Sequence, residues 1–283
     1  MRWGEWPLMI FTVVAQSATG AFWWCCLALV LGSLPADQVS QLERLMLVIW
    51  AMIALAFSTA AFHLGSPRRC LNAGFRFGQS SFSNEVVFGS AFVGLGFLGW
   101  LMSTFTIGST TVQIIVLGLT VLFSFAFLAS MTAFYMMPTV PTWNTPLTPA
   151  AFILTTIIGG STIAATIFAA AGVAHLGLLH YGPVVLVSVA LVAAIVVTLL
   201  QSALLPKIRS SIKRATDLSP NYAGLMAIRF VILFSALGLW LLDLLGSGTF
   251  SVGTGISCAI LVMIGEMVGR GVHYGLHMTV GLR

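Results

Sequence analysis

Long apolar runs alternate with short polar segments along the whole 283-residue chain. Crossing a hydrocarbon core about 30 Å thick takes about 20 mostly apolar residues in a helix. Eight runs reach that length, at roughly 7–31, 45–64, 85–105, 111–135, 149–171, 183–205, 225–245 and 252–274. Each is bounded by Pro, Gly or charge, and all are too long and continuous for barrel strands. The pattern predicts an all-α integral membrane protein with eight transmembrane helices, a single polytopic domain spanning residues 1–283. Helices 1–4 occupy about 7–135 and helices 5–8 about 149–274, which leaves no segment for an extramembrane domain. The first run is also too long for the apolar stretch of a cleavable signal peptide.

Composition sharpens this. Hydrophobic residues make up 59% of the sequence and charged residues 7%, against about a quarter charged in a soluble domain. That excludes a soluble enzyme and a disordered protein. The net charge of +5 would raise the question of nucleic acid, but the basic residues lie between apolar runs with no solvated aromatic interleaving. They act instead as a topology signal. With eight spans, the face carrying both termini holds Arg2, Arg68, Arg69, Arg76, Lys207, Arg209, Lys213, Arg214 and Arg283, and the opposite face holds Arg44. Positive charge favours the cytoplasm. The two long basic loops, 65–84 and 206–224, each follow the second helix of one half of the sequence, which hints at two parallel four-helix halves.

Ionisable residues within spans ask for a partner or a purpose. In helix 8, Glu266, Arg270, His273 and His277 fall at spacings of four, three and four, hence on one stripe. Glu266 four residues before Arg270 suits an intrahelical ion pair; the alternative is the lining of a polar cavity. His63 ends helix 2 and Glu85 opens helix 3 on the same face. A histidine beside a carboxylate suits chemistry that moves protons with electrons, while the structural alternative is a helix end capped by Ser83 or Asn84. Arg229 needs a partner, with Glu85, Glu266 or a ligand oxygen as candidates. Asp243 is expected to reach the interface. A b-haem would need two axial histidines on neighbouring helices, and only His63 with His273 or His277 offers such a pair. The four cysteines form no Cys-x-x-Cys, so neither a cluster nor a metal site is expected. Glycines at 94, 96 and 99, at 159 and 160, and at 265, 269, 271 and 275 are placed for close helix packing.

Several stretches, in order from first helix to last, resemble the membrane anchor subunit of the dimethyl sulfoxide reductase family. They are 5–13 (EWPLMIFTV), His63-Leu64-Gly65-Ser66-Pro67, Ser83-Asn84-Glu85, Thr139-Val140-Pro141-Thr142-Trp143 and Tyr274-Gly275-Leu276-His277-Met278-Thr279-Val280-Gly281. The resemblance implies a multi-pass anchor in the bacterial inner membrane, with both termini on one side. Its partners would be a ferredoxin-like iron–sulfur subunit and a molybdopterin catalytic subunit. It also implies menaquinol as the bound substrate, with no haem or iron–sulfur cluster in the anchor itself, in anaerobic respiration on S- or N-oxides.

On that resemblance His63 matches the family's quinol-binding histidine and Glu85 the nearby carboxylate, both placed to accept protons. Arg76, Arg270 and His277 complete the expected quinol-binding set. His273 stands where the family carries an apolar or aromatic residue. The family's catalytic subunit bears a twin-arginine leader, which argues for the outer face against the charge count, so the side stays open. Two other readings remain: a secondary transporter using the helix 8 stripe, for which Gly159-Gly160 is the one candidate helix break, and a purely structural anchor.

Overall fold

The computed structural model describes residues 5–31, 34–63, 72–173, 177–208, 215–218 and 220–278, with the side chains of residues 62 and 63 outside that description. Eight long helices dominate: α1 (Trp6–Val30), α2 (Ala36–His63), α3 (Ser81–Thr104), α4 (Thr110–Tyr135), α5 (Leu147–Ala170), α6 (Gly177–Leu204), α7 (Tyr222–Ser247) and α8 (Val252–Gly275). All eight contain a stretch long and apolar enough to cross a membrane. Short helical turns at Ala73–Arg76, Leu205–Lys207 and Ala215–Leu218 sit in the two long connections.

Helix ends follow local chemistry, and three differ from the apolar runs. Helix α2 begins about nine residues early, because Asp37, Glu43 and Arg44 break the apolar run without breaking the helix. Helix α6 starts at Gly177 and carries Pro183 inside it, past the first turn, where its missing N–H takes one bond, to the Leu179 carbonyl, out of the helical ladder. Helix α3 starts at Ser81 after Ser80, so Ser83 and Asn84 are helical rather than caps. The Asn84 carboxamide oxygen instead accepts from the Gly78 backbone N–H at 2.7 Å, and Glu85 lies a full turn inside the helix. Ser109 and Ser251 cap α4 and α8 through their hydroxyls, and Gly248 closes α7 in the left-handed region at φ 70°.

Two helices form the spine. In α1 and α5 the membrane window is 78% buried, against 22–39% for the other six. They meet so closely that a Cβ on Gly20 would strike the Thr156 carbonyl oxygen, and one on Gly160 would lie 2.5 Å from the Gly20 backbone. Small residues at such a seam let backbones approach in a solvent where apolar burial gives no drive. Around this spine α1–α4 pack as one ring and α5–α8 as another, with α8 also touching α1. Gly96 and Gly99 face Trp50 and Val116, whereas Gly94 meets nothing within 4 Å and is not a packing glycine. Helix α5 runs unbroken through Gly159-Gly160, so these glycines are a seam and not the break that a transporter reading requires.

Candidate functional site

The buried ionisable and phenolic groups gather at the end of the bundle where α1, α3, α5 and α7 begin and α2, α4, α6 and α8 end. Glu85, on α3, is 4% exposed, and its Oε1 has no hydrogen-bond partner among the described residues. Tyr135, closing α4, and Tyr274, near the end of α8, are both 2% exposed, with rings 5.4 Å apart. Glu85 lies within electrostatic reach of both phenols. The Tyr274 hydroxyl also meets Thr12 Oγ1 of α1 at 3.2 Å. One carboxyl and two phenols from three helices thus converge around α1.

The α4–α5 connection locks the end of α8 against this group. The last carbonyls of a helix lack intrahelical donors. Here the Trp143 indole N–H donates to the His273 carbonyl at 2.7 Å, and the Thr142 hydroxyl to that of Leu276 at 2.5 Å. The indole also stacks on the His273 imidazole, centroids 5.4 Å apart at 16°. His277 meets it edge-on at 4.8 Å. His273 is buried, and its Nε2 has no partner among the described residues.

Behind the phenols, a polar network links both rings of helices. Arg229 of α7 donates to both carboxylate oxygens of Glu266, at 2.9 and 3.2 Å. Thr155 of α5 donates to Glu266 Oε2 at 2.6 Å and accepts from Arg270 at 3.3 Å. Arg270 donates to Gln16 of α1 at 2.7 Å and lies 3.7 Å above the Phe152 ring. Gln16 reaches Met131 Sδ of α4 at 3.3 Å. The intrahelical Glu266–Arg270 ion pair expected from spacing is therefore not formed. Glu266 spends its charge on Arg229, which reaches it across Gly269, where a Cβ would stand 2.7 Å from Arg229 Nε. A cavity of about 40 Å³ adjoins this network, lined by Gln201, Tyr222, Arg229, Glu266 and His273 among others, large enough for water.

Of the residues singled out from sequence, Glu85, Arg270 and His277 fall around this cluster, joined through Tyr135, Tyr274 and Trp143. His63 ends α2, but its side chain lies outside the described residues. Arg76 is exposed on the Ala73–Arg76 turn. Asp243 is half-buried, and its carboxylate accepts from the Ser251 backbone N–H at 2.7 Å, tying the α7–α8 turn. Sequence reasoning passed over Tyr135, Gln16 and Thr155. Gln16, a carboxamide midway through an apolar run, carried a readable signal, because an amide in hydrocarbon demands a partner; the threonine and tyrosine did not.

Comparison with known proteins agrees with the resemblance. The family described as DMSO reductase anchor subunit (DmsC) matches residues 1–276. The C subunit of the anaerobic dimethyl sulfoxide reductase of Escherichia coli (strain K12) is 38% identical over 99% of this protein and 97% of its own length. A second anaerobic dimethyl sulfoxide reductase protein of the same organism, YnfH, is 39% identical over 99% and 97%. The corresponding C subunit of Haemophilus influenzae is 32% identical over 98% and 96%. No solved structure matches. With the family matched from Met1 through residue 276 and eight spans in the fold, this multi-pass membrane protein belongs to the DMSO reductase anchor subunit family.

Proposed function

We propose that the protein anchors a respiratory S- or N-oxide reductase in the bacterial inner membrane and supplies its menaquinol-oxidation site. The observation that carries this is the Glu85 carboxyl, buried, with no hydrogen-bond partner at Oε1 among the described residues, and within electrostatic reach of Tyr135 and Tyr274 at the bundle end where α2 finishes in His63. A buried polar atom left unpaired costs about 1–3 kcal/mol, so a ligand hydroxyl meeting it there binds where the protein alone is unsatisfied. Oxidation of the quinol releases two protons and two electrons. Glu85 and His63 take the protons, and Arg270 and His277 hold the ring oxygens as negative charge develops on them. The electrons pass to an iron–sulfur partner docked on this face and on to a molybdopterin catalytic partner. Arg76, exposed on the Ala73–Arg76 turn before α3, fits quinol entry or partner docking better than contact with the buried cluster.

Purification in mild detergent, followed by metal analysis and titration with a fluorescent quinol-site inhibitor, tests both halves. Co-purifying iron and molybdenum, with inhibitor binding lost in His63→Ala and Glu85→Gln, is the expected result. A metal-free single subunit would overturn the anchor role. A metal-loaded complex whose inhibitor binding ignores both substitutions would leave an anchor with quinol bound elsewhere.

A further inference from the structure

The cavity behind the phenols, walled by α5, α6, α7 and α8, carries an unbalanced charge. Arg229, Arg270 and Glu266 all line it, and they are only 7%, 5% and 2% exposed. Two guanidiniums therefore share one carboxylate. Both oxygens of Glu266 are already engaged, Oε1 by Arg229 and Oε2 by Arg229 and Thr155. The guanidiniums keep donors to spare. Arg229 Nη1 and Arg270 Nε and Nη1 donate to no acceptor among the described residues. Arg229 Nε is sealed off, but these three nitrogens keep accessible surface, and the cavity is the space that both residues line. Glu85, the next carboxyl, sits on α3 in the other ring of helices and forms no part of the wall.

Charge and size together select the occupant. An ionised side chain inside a membrane bundle is costly until something of opposite sign meets it. Water in the cavity would accept from the spare donors and leave the excess charge where it is. An anion answers both. The volume of about 40 Å³ has room for about three waters, which admits a halide and excludes a phosphate or a lipid headgroup. Entry is from the membrane surface. Tyr222 opens α7, Gln201 stands three residues before the end of α6, and Gln201 and Thr198 are half-buried along this outer wall. Arg229 lies seven residues further along α7, about 10 Å deeper at 1.5 Å per residue. We propose that the cavity binds one small monovalent anion, of halide size, between the guanidiniums of Arg229 and Arg270, which Glu266 and Thr155 already hold in one hydrogen-bond chain. The bound ion brings the cluster to neutrality. The site is formed by α5–α8, needs neither Glu85 nor His63, and does not depend on the quinol reading.

The test heats the intact complex in detergent and follows this subunit by size-exclusion through a fused fluorescent protein, with chloride replaced stepwise by gluconate at constant ionic strength. A ligand that binds only the folded state stabilises it with the logarithm of its concentration once the site is half filled. The expected result is a melting temperature that rises by about 3 °C for each tenfold increase in chloride above that point, with bromide able to replace chloride. Ala151→Leu fills the cavity from α5 and leaves every charge in place; Arg229→Gln removes the excess charge. Both should abolish the chloride dependence, whatever they do to the melting temperature in gluconate. Salt effects at the protein surface would persist in both variants. A melting temperature indifferent to chloride, or a chloride dependence that survives either substitution, would overturn the anion site and leave the cavity to water.

Discussion

The Arg229–Glu266 pair lends itself to a quantitative test, because both groups are buried and each has few alternatives. Arg229 is 7% exposed and Glu266 2%. Replacing Arg229 with Met keeps an unbranched apolar side chain in the trough over Gly269 and removes the charge that holds Glu266. Breaking one side of a buried pair costs about 3–5 kcal/mol, because the other charge stays buried alone. Here the lower half of that range is expected, since the 2.6 Å bond from Thr155 to Glu266 survives. Removing both partners, Arg229→Met with Glu266→Met, should recover more than half of the loss, as apolar replacement of a whole buried pair is often neutral. The measurement is a double-mutant cycle on unfolding in mixed micelles, with a coupling energy of about 2 kcal/mol expected. A cost below about 1 kcal/mol for Arg229→Met, or a coupling under about 0.5 kcal/mol, would refute the claim that this pair carries its own burial.

Other consequences are as direct. Glu85→Gln should slow quinol-driven turnover by about 10²-fold or more while turnover with an artificial donor feeding the partner subunits stays normal; equal rates with both donors would remove Glu85 from proton transfer. Gly160→Ala forces a methyl against the Gly20 backbone and should cost about 1–3 kcal/mol, read as a lower melting temperature of the detergent-purified complex, whereas Gly94→Ala, facing open space, should change nothing. Thr142→Val and Trp143→Phe each remove one donor from the end of α8 and should each cost about 0.5–1.5 kcal/mol, with faster amide exchange at Leu276 and His277 as the local signature.

How far the sequence could be read depends on which physical rule governed each feature. Span number and approximate limits follow from a hydrocarbon thickness that apolar length must match, so the eight helices stood out from the pattern alone. The start of α2 did not, because helical backbone bonds tolerate Asp37, Glu43 and Arg44 where a hydropathy run does not. Partner choice was the harder problem. Spacing four along α8 allowed Glu266 to meet Arg270, yet Arg229 from α7 took the carboxylate, since a neighbouring helix can offer both nitrogen-to-oxygen contacts across a glycine notch. Arg270 then turned to Gln16 on the spine helix. The same logic explains why the α1–α5 seam was half visible. Gly159-Gly160 announced a close approach, but its counterpart Gly20 sits in a run of small residues where nothing marks it out until the backbones are seen to touch. Within the bundle, periodicity finds the stripe that faces inward, and only the three-dimensional packing decides which stripe it faces. Helix α1 ties the cluster to the charge network: Thr12 meets the Tyr274 phenol of α8, and Gln16 joins Met131 of α4 to Arg270, which reaches Glu266 through Thr155. Gln16→Leu should therefore lower quinol-driven turnover, although Gln16 lies outside every motif singled out from sequence.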